Sequence, residues 1–198
     1  MPTHLLSRAR QRAKAALHLH PDMTLSLARV HEACGPARYS FALWLASRTE
    51  GPVLWIAPAW DTEFLDPTGL SAFADPARFL FAKPQQADDL LWVMEEALRS
   101  GAVPLVVAEL PALPGLTPVR RLHLAAETGS GIGRPSPLGL VLTPGDGGAQ
   151  GPETRWHMRA DFQDGQQSWS LERRRARTQP LRAWHVTRSD SGMQIAPA

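Results

Sequence analysis

Four short runs of this chain are apolar through their middles and show no alternation: VLWIA (53–57), RFLFA (78–82), PLVVAEL (104–110) and LGLVLT (138–143). A strand with one wet face alternates apolar and polar residues, so runs this short without alternation fit strands buried on both faces of a sheet. Burial on both faces requires helices on both sides, and the intervening segments supply them. In QADDLLWVMEEALRS (86–100), Ala87, Leu90, Leu91, Met94 and Leu98 make one stripe, Asp88 and Asp89 suit the positive end of the helix dipole, and Gly101 closes the end. A second helix is predicted over 117–128 with Leu122, Ala125 and Ala126 inward, and FALWLASR (41–48) is a third, after a strand LARVHEA (27–33) that ends at Cys34-Gly35-Pro36. Strands alternating with helices predict right-handed crossovers and a mainly parallel α/β sheet.

From residue 153 the rhythm changes. TRWHMRADF, SWSLERRRA and LRAWHVT alternate apolar with polar residues and are separated by turn-rich stretches, which predicts antiparallel strands with one wet face. Trp44, Trp55 and Trp92 are placed in the core, and Trp156, Trp169 and Trp184 on strands that can expose one face. Ahead of the core, residues 4–19 put Leu5, Ala9, Ala13, Ala16 and Leu17 on one side and basic residues on the other, the spacing of a short amphipathic helix. The expected organisation is an N-terminal helix in 1–20, an α/β domain over 21–188 with a mobile Gly-rich loop at 144–152, and a flexible tail at 189–198.

Composition narrows the function classes. The chain is 198 residues long, 43% hydrophobic and 20% charged, which suits one ordinary globular domain. Its single cysteine, Cys34, excludes an internal disulfide and a multi-cysteine zinc site and suits a reducing compartment, so a cytoplasmic location is expected. Arg8, Arg10, Arg12 and Lys14 interrupt the apolar positions of the N-terminus, so it does not read as a signal peptide, and no apolar run approaches a membrane span. The net charge of +2 conceals two basic ends around an acidic middle, compatible with weak nucleic-acid or acidic-protein contacts. His31, His123, His157 and His185 make no metal-binding spacing, and no GxSxG elbow accompanies Ser40.

The most informative stretch is EACGPARYSFAL (32–43). A phosphate-binding loop after a first strand reads GxxxxGK[ST]: glycines let backbone N–H groups wrap phosphates, lysine neutralises them, and the hydroxyl ligates magnesium. Here Gly35 and Pro36 open the loop, but Ser40 replaces the second glycine, Phe41 the lysine and Ala42 the hydroxyl. In its glutamate, its GP start and its register, the stretch resembles RecA, whose phosphate loop begins in the same way. By that resemblance Ala59 stands where the family carries a catalytic glutamate, Glu109 where it carries a magnesium-coordinating aspartate, and Thr143 where it carries a nucleotide-sensing glutamine. A RecA-like core is therefore expected, with no enzymatic activity, no cofactor and no metal.

Within that group the chain resembles the ImuA type of mutagenesis accessory protein, through LHLAAETG (122–129), ETRWHM (153–158), WSLERRRAR (169–177) and the N-terminal helix, in order along nearly the whole chain. The resemblance implies a non-catalytic adaptor in SOS-induced translesion synthesis, with an inactive Y-family polymerase homologue, RecA and an error-prone C-family polymerase as partners. Arg8, Arg12, Arg173, Arg174, Arg175 and Arg177 are the expected partner or DNA contacts, with solvated strand faces as the plain alternative for the ERRRAR run. Three other readings stand beside the adaptor: a weak single-stranded-DNA module using loop 144–152, a residual ATPase, and a SulA-type division inhibitor, which shares distant ancestry.

Overall fold

A computed structural model describes residues 15–62, 65–132, 136–161, 167–189 and 192–198. The chain runs β1 (Ala16–His20), β2 (Met23–Ser26), β3 (Val30–Cys34), α1 (Arg38–Ser47), β4 (Val53–Ile56), α2 (Pro67–Ser71), a 3-10 turn (Pro76–Arg78), β5 (Phe79–Ala82), α3 (Ala87–Ser100), β6 (Leu105–Glu109), α4 (Leu116–Ile132), β7 (Leu138–Leu142), β8 (Thr154–Ala160), β9 (Ser168–Ala176), β10 (Arg182–Ser189) and β11 (Gly192–Pro197). Nine strands form one sheet in the order β11-β10-β9-β8-β3-β7-β6-β4-β5. The pairs from β8 through to β5 are parallel, and those from β8 outward to β11 are antiparallel. The result is the expected mixed α/β architecture, compatible with a RecA-like core.

Three of the apolar runs, β4, β6 and β7, are buried on both faces, whereas the fourth, expected to be so as well, is the edge strand β5 and leaves Leu80 and Phe81 exposed. In β6, Leu105 and Val107 enter the core under α1, while Val106 and Ala108 enter the core under α3 and α4. The first core holds Phe41, Trp44, Trp55, Trp156 and Trp184, and the second holds Leu90, Met94, Leu98, Leu122 and Ala126. Helix α3 begins and ends as its residues dictate: Asp88 and Asp89 lie in the first turn, and Gly101 takes the left-handed conformation at the C-cap.

Several expectations are corrected. Residues 16–20, read as the end of a helix, form a strand paired with β2 in a separate hairpin. Leu17 and Leu19 alternate with His18 and His20, and that two-residue period prevails because Leu19, Met23 and Leu25 close over the first core. The rest of the expected helix, with Arg8 and Arg12, lies outside the described residues. Residues 192–197, read as tail, pair along β10 and pack Met193 and Ile195 against the first core. Trp92 is exposed, because it lies off the Leu90-Met94-Leu98 stripe that faces the sheet. Trp156, Trp169 and Trp184 are instead buried.

Candidate functional site

The segment that would wrap a phosphate is closed by the protein's own atoms. Helix α1 starts at Arg38, which leaves only residues 35–37 as loop and carries Ser40, Phe41 and Ala42 into the helix. Gly35 takes φ +86°, and a Cβ there would stand 2.5 Å from the carbonyl oxygen of Met158. Its N–H donates to the Gly145 carbonyl at 2.8 Å, the Ala37 N–H to the Met158 carbonyl at 3.0 Å, and the Arg38 N–H to the Gly35 carbonyl at 3.2 Å. Amides committed in this way do not converge on an anion as a phosphate nest requires. Phe41 is fully buried, stacked 5.5 Å from Trp156 and edge-on to Trp44 at 6.3 Å. A lysine at this position would place its charge in an aromatic core.

Beside this loop a crevice of about 330 Å³ opens at the carboxyl ends of β4, β6 and β7, bounded in part by Arg38, Tyr39, Trp60, Asp61, Glu109 and Pro144. Open parallel sheets present ligand sites at such strand ends. Glu109 closes β6, and its carboxylate accepts from the Tyr39 hydroxyl at 2.8 Å and from the Trp55 indole N–H. Burial raises its pKa above the ordinary carboxylate range, against the opposing pull of the Trp55 and Tyr39 hydrogen bonds. Each carboxylate oxygen thus already has a neutral donor from the chain itself. Ala59, beyond β4, offers a methyl group and anchors its N–H on the Pro84 carbonyl at 2.9 Å.

Sequence reasoning missed the organising residue of this end of the sheet, Glu32. It is fully buried, and Oε1 accepts from Thr143 Oγ1 at 2.7 Å and from the N–H groups of Gly148 and Ala149 at 2.8 and 3.0 Å, while Oε2 meets Arg155 Nε at 2.6 Å. Arg155 also donates to the Ala149 carbonyl at 2.8 Å, so the Gly-rich loop is fastened to the core by charge and backbone together. Gly147 is required at φ +74°, since a Cβ would stand 2.8 Å from both Glu32 Oε1 and Cys34 Sγ. Thr143, which the resemblance to RecA aligned with a nucleotide-sensing residue, is fully buried and committed to Glu32. The signal available was a glutamate inside the strand VHEAC, a charge that burial permits only with dedicated partners. Cys34 next to it is no nucleophile: burial pushes its thiol up to about 12.

The ERRRAR arginines do not form one patch. A bulge in β9 pairs Arg173 with Trp156 and Arg175 with Arg155, which puts Arg173 and Arg175 on opposite faces where strict alternation would have put them on one. Arg173 is 2% exposed, lies over the Trp156 and Trp184 rings, and donates to the carbonyls of Pro180 and Asp22, both at 2.9 Å. It holds the β1–β2 hairpin to the sheet and is no surface contact. Arg174 pairs with Asp146 at 2.8 Å and Glu172 at 2.7 Å, Arg177 reaches Glu153 at 3.6 Å, and Arg175 is exposed.

Among the described residues, no three His, Cys, Asp or Glu side chains come together as a metal site, and no helix is long and apolar enough to cross a membrane. The fold and the site define an α/β protein with a closed loop after its central strand and an uncharged-donor clamp on the carboxylate of β6. No family model matches the sequence, and neither does any curated protein.

Proposed function

We propose that this chain is a non-catalytic adaptor on a RecA-like scaffold, of the ImuA type, that helps assemble an error-prone translesion polymerase complex through protein–protein contacts. The observation that carries the non-catalytic part is Phe41: it stands where the resemblance puts the phosphate-loop lysine, and its ring is packed between Trp44 and Trp156. The engaged amides of Gly35 and Ala37 and the clamped Glu109 support the same reading. The damage-tolerance role and the polymerase partners rest on the resemblance of 122–129, 153–158 and 169–177.

Two measurements test the proposal. Titration with a fluorescent ATP analogue and magnesium should show no saturable binding, and ATP turnover should stay at background; hydrolysis by the purified wild type that is lost on Glu109→Gln would overturn the non-catalytic reading. Capture from DNA-damaged cells of the source organism should co-purify RecA or a Y-family polymerase homologue. Capture of neither would overturn the adaptor role.

A further inference from the structure

On the side of the sheet away from α3 and α4, a second cavity of about 200 Å³ lies between the end of α1, the segment after α2 and the β10–β11 hairpin. Leu19, Trp44, Phe73 and Met193 give it an apolar floor, Arg48 and Arg188 stand at its sides, and among the described residues none that lines it is acidic. Arg188 is fixed in place: its guanidinium lies 4.9 Å over the Phe73 ring, Nη2 donates to the Ala72 carbonyl at 2.7 Å, and Nη1 donates to Gln167 Oε1 at 3.3 Å. A guanidinium has five N–H donors, so a fixed Arg188 keeps donors to spare. Arg48 caps α1 at the surface. Among the described residues, neither arginine forms an ion pair with a carboxylate, whereas Arg29, Arg99, Arg121, Arg155, Arg174, Arg177 and Arg182 all do.

The end of a helix ordinarily repels an anion through its unpaired carbonyls. Arg78 lies at this end of α1 and donates to the Ala46 carbonyl of the last turn at 3.0 Å and to the Thr49 and Gly51 carbonyls just beyond the helix at 2.6 and 2.7 Å. The cavity therefore combines two guanidinium groups, a third arginine at the end of α1 and an apolar floor, a combination that suits an anion carried on a short apolar stem. Stacked bases are a poor fit, because the Phe73 face is occupied by Arg188 and Trp44 is buried.

From this arrangement we infer that the cavity receives the carboxylate of a glutamate or aspartate from an acidic, leucine-rich segment of a protein partner. The inference rests on the reading of the chain as a protein-binding adaptor, and its test is separate. A fluorescein-labelled nonapeptide alternating leucine and glutamate is titrated against the full chain, beside its leucine–glutamine counterpart and a labelled oligothymidylate. The glutamate peptide should bind with an affinity that falls as salt rises, and Arg48→Gln and Arg188→Gln should each weaken it roughly tenfold. Arg48 is exposed, so Arg48→Gln should keep the wild-type melting temperature, which separates lost binding from lost folding. The inference is overturned by no binding at millimolar peptide, by equal binding of the glutamine peptide or the oligonucleotide, or by binding indifferent to Arg48→Gln. Capture of RecA or the polymerase homologue by a chain that ignores the peptide would reject the pocket and leave the adaptor reading standing.

Discussion

His31 sits in the middle of β3 with no exposed surface, Nδ1 against Thr154 Oγ1 at 2.7 Å and Nε2 against the Ser26 carbonyl at 3.0 Å. Burial dominates its titration and lowers its pKa to about 4, although the Ser26 hydrogen bond pulls the other way. In the unfolded chain the ring takes up a proton near pH 6.5. Below that pH the unfolded state binds more protons than the native one, so stability falls as pH falls. Between pH 7 and pH 5 His31 should cost roughly 2 kcal/mol of stability. Urea midpoints measured at both pH values should show this loss in the wild type and a shallower one in His31→Gln; an equal slope in the variant would reject the assignment. Arg173 shows the limit of reading residues one at a time. ERRRAR looks solvated because arginine usually is, and nothing local announces that two tryptophans from neighbouring strands, Trp156 and Trp184, lie beneath the first arginine of the triplet.

Elements were legible where the pattern that identifies them is also what buries them. The runs 53–57, 104–110 and 138–143 became β4, β6 and β7 because strands covered on both faces offer few polar positions, whereas 78–82 became the edge strand β5, which leaves Leu80 and Phe81 exposed. Residues 16–20 and 192–197 were misread because each is a short strand whose partner is its immediate neighbour, and alternation over so few residues competes with helical and tail-like readings. Of the candidate site, Gly35, Phe41 and Glu109 were singled out in the sequence through the resemblance, and the structure places Gly35 in the loop after β3, Phe41 in α1 and Glu109 at the end of β6. The Glu32 cluster was not, since its donors come from Thr143, Gly148, Ala149 and Arg155, far along the chain. For β11 the consequence is measurable. Stopping the chain after Ser189 removes Met193 and Ile195 from the core, which at roughly 1 kcal/mol per half-buried side chain should lower stability by about 2 kcal/mol. An unchanged melting temperature would mean that this hairpin contributes nothing to the fold.

At the scale of the molecule, the net charge is only +2, and among the described residues the ERRRAR arginines are separated and do not form one positive surface for a phosphate backbone. Binding to single-stranded DNA should be weak and should weaken further with a slope of log affinity on log salt of about −0.7 per phosphate contact. Titrations at several salt concentrations check this, and affinity that persists at high salt would favour the DNA-module reading. The central strand imposes a different constraint, on assembly in time. Glu32 in β3 waits for Thr143, 111 residues downstream, and for Arg155, 123 residues downstream. At a translation rate of about 5–20 residues per second, the strand leaves the ribosome roughly 6–25 s before its last lateral neighbour exists. During that interval the Glu32 carboxylate lacks its Thr143 and Arg155 donors and Phe41 lacks the Trp156 ring, so completion of the central strand must await synthesis of the C-terminal strands.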